Sequence, residues 1–121
     1  MNLNSILHIR VFTYTPETRT RAQFINDYRN GLIRVFRPVN VSNGIAAANW
    51  ADRTYRNSNV PYRLTTSLAT THETYCSKLV WQTYFFGAGS SSVAHPNTNR
   101  MVFPYELHID IRNLNRMADI N

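Results

Sequence analysis

The only cysteine of the chain, Cys76, lies where the sequence predicts the start of an amphipathic helix. One face of this helix has the spacing i, i+3, i+4, i+7 and consists of Cys76, Leu79, Val80 and Thr83. A thiol in the first turn lies at the positive end of the helix dipole, which favours the thiolate, the nucleophilic form of cysteine. The alternative is a structural role, because free cysteines are often buried and pack like small hydrophobic side chains.

The boundaries of this helix can also be predicted from the sequence. Thr71 or Thr74 is expected to cap its start, because a hydroxyl there accepts a hydrogen bond from a first-turn N–H group. Gly87 and Gly89 follow the last apolar residues, where a helix usually ends. The predicted helix therefore runs from about Cys76 to just before Gly87.

The stretch from Tyr75 to Tyr84, which reads YCSKLVWQTY, resembles the nucleophile helix of circularly permuted papain-fold cysteine hydrolases. These enzymes are related to the NlpC-type cell-wall peptidases and include the YiiX/YycO-like group. The resemblance implies an α+β fold in which a small antiparallel sheet packs against the cysteine-bearing helix. It also implies that Cys76 is the nucleophile and that the substrate is a peptide or lipid-linked amide, such as a cell-wall peptide.

The resemblance extends over roughly residues 30 to 108. Its further matching positions are Arg37-Pro38, Trp50 in an alanine-rich helix, Pro61-Tyr62, Pro104 and Leu107. Papain-like hydrolases of this permuted type carry the histidine base on a strand before the cysteine helix. The resemblance therefore implies that the base is one of the histidines that precede Cys76.

A cysteine hydrolase needs a base near its thiol, and histidine suits that role because its pKa is near neutrality. Of the four histidines, only His8 lies in a strand-like segment upstream of Cys76. His8 is therefore predicted to be the base or, alternatively, the third residue of the site. In the second case the base strand is missing, and the chain is an N-terminally truncated member of the group. His72, His95 and His108 are predicted to be surface or loop residues.

Other kinds of catalytic site have no support in the sequence. No pair of carboxylates lies on one helical face, so glycosidase-type acid–base chemistry is not expected. A single cysteine excludes an internal disulfide bond and a zinc site with several cysteines. The sequence has no glycine-rich phosphate loop, no serine elbow and no spacing typical of metal ligands, so no cofactor is expected.

Length and charge limit the domain count and the partners. A chain of 121 residues with 43% hydrophobic residues fits one globular domain over residues 1–121. The net charge is +6, which favours an anionic cell-wall or membrane surface, although scattered arginines also suit an ordinary solvated surface. Neither a signal peptide nor a membrane-spanning segment is recognisable, so a cytoplasmic location is the default expectation. The oligomeric state cannot be read from the sequence.

Hydrophobic periodicity predicts the remaining elements. Strands are expected at residues 6–14, 32–37 and 107–111, all in one antiparallel sheet. Helices are expected at residues 20–29 and 44–56, the second capped by Ser42 or Asn43. Residues 87–99 are rich in Gly, Ser and Asn and are predicted to form a mobile loop. Both tryptophans, Trp50 and Trp81, lie in amphipathic helices and are expected to be buried.

Two functions from different classes follow from these observations. The first is a cysteine hydrolase, an amidase or peptidase, with Cys76 as nucleophile and a histidine as base. The second is a non-catalytic basic binding module with an incomplete papain-like site. Nucleic acid is not expected as a partner for either, because the sequence has no basic stripe and no nucleic-acid-binding motif.

Overall fold

Two antiparallel strand pairs and four α-helices make up most of the regular structure in the described residues, which are 5–8, 17–28 and 33–120 of the computed structural model. The elements are β1 (Ser5–His8), β2 (Glu17–Thr20), α1 (Arg21–Asp27), β3 (Ile33–Pro38), α2 (Val41–Thr54), α3 (Cys76–Gln82), α4 (Leu107–Asp110) and β4 (Leu114–Ile120). A π-helical segment, Thr83–Ala88, continues directly from α3. Short 3₁₀ helices cover Ser90–Ser92 and Pro104–Glu106. The predicted α+β class is confirmed.

The strands form two separate two-stranded sheets in the described part of the chain, not the single sheet predicted. Strand β1 pairs with β2, and His8 lies opposite Glu17 in the register. Strand β3 pairs with β4, from Ile33 opposite Ile120 to Pro38 opposite Leu114, with a register shift next to Phe36. Residues 9–14 of the predicted first strand lie outside the described residues.

The strand predicted at residues 107–111 is wrong, because residues 107–110 form the short helix α4. Leu107 and Ile111 are separated by one helical turn and are both at least half-buried, whereas Ile109 between them is 67% exposed. Such a pattern fits both a strand and one face of a helix over so few residues. Pro104 opens the 3₁₀ turn that leads into α4, and the true partner of β3 is β4.

Helices α1 and α2 confirm the predicted helices, with local capping that fixes where each begins. Thr20 caps α1 through a reciprocal pair of hydrogen bonds with Gln23, of 3.1 Å and 3.0 Å. Helix α2 starts earlier than predicted, because the Asn40 side chain accepts a 3.0 Å hydrogen bond from the Ser42 N–H. Ser42 and Asn43, the predicted caps, lie inside the helix instead.

The core is built around α3 and its π-helical continuation. One buried cluster comprises Leu68, Tyr75, Trp81, Val93 and Val102, and a second contains Tyr55 and Leu79. The prediction for Trp81 is confirmed, since its side chain is fully buried. Trp50 is only half-buried and packs against the second cluster, where its ring stacks on Phe86 with centroids 5.3 Å apart.

The segment predicted as a mobile loop, residues 87–99, is in part integrated into the core. Ser92 and Val93 are buried, and Val93 forms an isolated antiparallel bridge with Ile111. The Ser92 hydroxyl lies 2.8 Å from the Tyr84 carbonyl oxygen, which links the segment to the end of the central helix. The prediction of mobility is wrong for this part of the segment.

Candidate active site around Cys76

Cys76 is a free, exposed thiol and the first residue of α3. The three residues before it and the three after it, residues 73–75 and 77–79, are all buried. Free cysteines are usually buried like small hydrophobic residues, so exposure within such a run opposes a purely structural role. The local structure therefore presents this one side chain to solvent.

The start of α3 has no side-chain cap. The N-cap residue is Tyr75, whose side chain makes no capping hydrogen bond, so the prediction of Thr71 or Thr74 as cap is wrong. Thr74 is instead buried, and its backbone bonds to Pro61 and Arg63 at 3.1 Å and 2.9 Å. Because the first N–H groups of a helix lack intrahelical acceptors, those beside the thiol are suited to hold an oxyanion.

Hydrogen bonds to one residue, Val102, fix both neighbours of Cys76. The Ser77 hydroxyl donates to the Val102 carbonyl oxygen at 2.5 Å. The Val102 N–H donates in turn to the Tyr75 hydroxyl at 3.1 Å. The backbone at Cys76 is therefore held on each side while its side chain remains accessible.

The opposite face of α3 carries a fully buried lysine, Lys78. Its Nζ donates to the hydroxyl oxygens of Thr70 and Thr65 at 2.9 Å and 3.3 Å, and lies 3.8 Å from a carboxylate oxygen of Glu73. Burial lowers the pKa of Lys78, and the Glu73 carboxylate opposes part of that shift. The ammonium group thus anchors the segment that precedes the thiol.

Gln82, one helical turn after Lys78 on α3, makes further buried polar contacts. Its Nε2 donates to the carbonyl oxygens of Leu68 and Thr70, both at 2.8 Å, and its Oε1 accepts a hydrogen bond from the Tyr55 hydroxyl. Burial raises the pKa of Tyr55 to about 12. Helix α2 and the segment before Cys76 are therefore both tied to α3 through Gln82.

Two tyrosines lie close enough to the thiol to sense its charge. Burial raises the pKa of Tyr62, and negative charge on Cys76 adds to that rise. Burial likewise raises the pKa of Tyr75, and Cys76 contributes in the same direction. The Tyr75 hydroxyl is held by the 3.1 Å hydrogen bond that it accepts from the Val102 N–H, and the bridge between Tyr62 and Thr74 holds Tyr62.

The predicted base, His8, lies at the end of β1 opposite Glu17. Its side chain lies outside the described part of the structure, so its role as base stays a prediction. The other three histidines are exposed, as predicted. His72 pairs with its neighbour Glu73 at 2.5 Å, and the His108 ring stacks on Phe36 with centroids 5.5 Å apart.

A cavity of about 400 Å³, which the sequence did not reveal, lies between α3, α4 and the sheet of β3 and β4. Its apolar lining includes Phe36, Val80, Tyr84, Leu107, Ile111 and Leu114. The only signal in the sequence is the spacing of Val80, which follows Cys76 by four residues on the same helical face. A second cavity of about 540 Å³ lies on the other side of α4 and is lined by polar groups that include Arg100 and Glu106.

A metal centre is not apparent among the described residues, where no three potential His, Cys, Asp or Glu ligands come together. A search of the same residues for a helix long and apolar enough to cross a bilayer also finds none.

Comparison with known proteins gives one family. The model of the family described as "Lipoprotein N-acylation protein LnsA-like" matches residues 1–117, nearly the whole chain. No curated protein matches the chain significantly. No solved structure matches it either.

Proposed function

The chain belongs to the family of LnsA-like lipoprotein N-acylation proteins, and on that basis we propose that it is a cysteine enzyme of acyl transfer whose nucleophile is Cys76. The observation that carries this proposal is an exposed thiol at an uncapped helix start, held between two buried and hydrogen-bonded neighbours. The family description favours acyl groups of lipids as substrates. Cell-wall peptides, which the resemblance to NlpC-type enzymes implied, stay a prediction.

In the first step, the Cys76 thiolate attacks the carbonyl carbon of an ester or amide that carries the acyl group. A thioester forms, the bond to the alcohol or amine breaks, and the leaving group takes a proton from the base. The backbone N–H groups of the first turn of α3 stabilise the oxyanion of the tetrahedral intermediate.

In the second step, an amine attacks the thioester carbonyl and the carbon–sulfur bond breaks. The products are an amide and the regenerated thiolate, and the base takes the proton that the amine loses. For lipoprotein N-acylation the amine is the N-terminal amino group of the lipoprotein. Water in place of the amine gives a free acid, which is the hydrolase reaction predicted from the sequence.

The base in this proposal is His8, the only histidine upstream of Cys76 in a strand. His72 is a weaker candidate, because its Nε2 already contacts the carboxylate of Glu73. Removal of a general base typically lowers the rate by about 10²–10⁴-fold. His8→Ala is therefore expected to lower the rate by that factor, and His95→Ala, in an exposed loop, is the matched control that keeps it.

The proposal is tested by incubating the full chain with a p-nitrophenyl acyl ester and following both the released phenol and the intact protein mass. A mass increase equal to one acyl group, absent in Cys76→Ser, is expected. An equal rate of phenol release from Cys76→Ser would contradict the proposal.

The alternative, a non-catalytic binding module, has its own signature in the same experiment. The thiol then reacts with iodoacetamide because it is exposed, yet no acyl adduct forms with any ester. His8→Ala also has no effect on any measured rate in that case.

A further inference from the structure

We propose that the cavity between α3, α4 and the β3–β4 sheet holds the acyl chain of the group that Cys76 accepts. This inference rests on the proposed function. It adds where the acyl chain of the substrate binds and how long that acyl chain is. Neither the family match nor the cysteine motif assigns a role to this cavity.

Helix geometry places the cavity next to the thiol. Val80, one of its lining residues, follows Cys76 by four positions, so the two side chains are neighbours on one helical face. The rise over four residues is about 6 Å, which is roughly the length of four or five carbon–carbon bonds along a chain. An acyl group attached to Cys76 therefore reaches the cavity with its first few methylene groups.

A second connection comes from the segment after Val102. The 2.5 Å hydrogen bond from Ser77 to Val102 fixes this segment against the first turn of α3. Pro104 and Tyr105, two and three residues further on, line the cavity. Two parts of the cavity wall, Val80 on α3 and the segment with Pro104 and Tyr105, are therefore held in place relative to the thiol.

The lining selects an apolar occupant. The described residues that form the wall include no carboxylate, lysine or arginine, and the ring of the one histidine, His108, is stacked on Phe36. Burial raises the pKa of Tyr84, another wall residue, in keeping with a poorly hydrated interior. The second cavity is less suited to a hydrocarbon chain, because its wall contains the charged side chains of Arg100 and Glu106.

The volume sets an expected chain length. A water-sized group occupies about 30 Å³, and a methylene group is of similar size. The cavity volume of about 400 Å³ therefore holds on the order of a dozen methylene groups. Longer chains are expected to bind no better, because their ends project beyond the wall.

The first experiment measures kcat/KM of the full chain for p-nitrophenyl acetate, butyrate, octanoate, dodecanoate and palmitate. Each buried methylene is expected to raise kcat/KM about fourfold, with a plateau near dodecanoate. A flat profile with Cys76-dependent turnover would overturn the cavity proposal and leave the proposed function intact. No Cys76-dependent turnover of any ester, acetate included, would instead refute the proposed function.

Two substitutions on α4 provide a matched pair. Leu107→Trp places a large ring in the cavity, whereas Ile109→Trp places the same ring on the other side of the helix. The ratio of the dodecanoate to the acetate rate is expected to fall at least about tenfold in Leu107→Trp. The ratio stays unchanged in Ile109→Trp, and an equal fall in both variants would contradict the assignment.

A third variant and a binding measurement cover the case in which Leu107→Trp does not fold. Phe36→Ala enlarges the cavity and is expected to shift the plateau towards palmitate. A fluorescent fatty acid should bind to Cys76→Ser, which cannot form the thioester, and dodecanoate should displace it. Binding that dodecanoate does not displace, or a plateau that does not move in Phe36→Ala, would overturn the proposal.

Discussion

Cys76 and Lys78 are two positions apart on α3 and have opposite surroundings. The thiol is exposed, whereas the lysine side chain is fully buried. Two residues advance about 200° around a helix, so the two side chains leave it on opposite faces. The only lysine of the chain is therefore an anchor for the segment before the thiol and does not act as the base for it.

Replacement of Lys78 is expected to reveal this anchoring. Lys78→Met removes the buried ammonium group beside the buried Glu73 carboxylate and leaves this carboxylate only its exposed neighbour His72, which should lower the free energy of unfolding by about 3–5 kcal/mol. The double variant Lys78→Met/Glu73→Gln should recover much of that loss, because no unpaired charge remains. Urea denaturation measures both values, and a loss below about 1 kcal/mol in the single variant would contradict the anchoring role.

The buried Tyr55 predicts how stability changes at alkaline pH. Its folded pKa of about 12 lies above the unfolded value of 10.0, so the folded state keeps the phenol proton longer. The resulting stabilisation is fully present below pH 10 and is lost as pH rises from 10 towards 12. The loss amounts to about 3 kcal/mol, because one pKa unit corresponds to about 1.4 kcal/mol.

Comparison with Tyr55→Phe isolates this contribution. The wild-type free energy of unfolding should fall more steeply than that of the variant above about pH 10, because the variant has no phenol to titrate. Parallel pH profiles for the two proteins would show that the burial of Tyr55 has no such effect.

Sequence patterns predicted the helix that begins at Cys76 but missed the buried polar residues around it. The spacing of Cys76, Leu79 and Val80 was sufficient to predict a helix that begins at the cysteine. Lys78 and Gln82 could not be predicted as buried, because such side chains are mostly exposed unless partners satisfy them. Their partners lie in an irregular segment, residues 65–74, whose path depends on tertiary contacts.

At the scale of elements, helix α2 and the π-helical segment Thr83–Ala88 pack closely at Gly87. A Cβ atom at this position would lie 2.7 Å from the Ala46 carbonyl oxygen and 2.9 Å from the Ala47 Cα. Both are backbone atoms that cannot move away by a change of rotamer. The glycine that was predicted to end the helix is therefore needed for the packing of two helical segments.

Gly87→Ala is expected to lower the free energy of unfolding by about 1–3 kcal/mol through this overlap. Asn49→Ala is a matched control, because it also places an alanine in a helix but at an exposed position of α2. The control should be neutral or slightly stabilising, since alanine has the higher helix propensity. Equal melting temperatures for Gly87→Ala and the wild type would show that the helices adjust without cost.

The shorter and more polar elements also show where hydrophobic periodicity does not predict secondary structure. The helices predicted at residues 20–29 and 44–56 are found at residues 21–27 and 41–54, because apolar residues recur at helical spacing in both segments. Helix α4 has four residues, too few to distinguish a period of 3.6 from one of 2. Strand β4, with the polar sequence LNRMADI, has little hydrophobic signal and is defined by its pairing with β3.

At the scale of the whole molecule, positive charge and an apolar cavity occur together. The net charge is +6, and 12 of the 13 basic residues are arginine. Tyr105, a wall residue of the cavity, is 71% exposed, and its ring stacks on that of Phe103, which is 44% exposed. Aromatic rings at a water-exposed entrance and a cationic surface both suit a protein that takes its substrate from an anionic membrane.

Vesicle binding tests this expectation for the full chain. Binding to vesicles that contain anionic phospholipid should weaken strongly as salt rises from about 0.1 M to about 1 M, because the Debye length falls from about 10 Å to about 3 Å. Vesicles made only of zwitterionic lipid are the control and should bind weakly at every salt concentration. Equal, salt-independent binding to both kinds of vesicle would show that the exposed aromatic residues, and not the net charge, hold the protein at the surface. A DNA duplex, added at the same low salt, tests whether nucleic acid competes with the anionic vesicles for the protein. It should compete poorly, because the arginines are scattered along the sequence without a basic stripe.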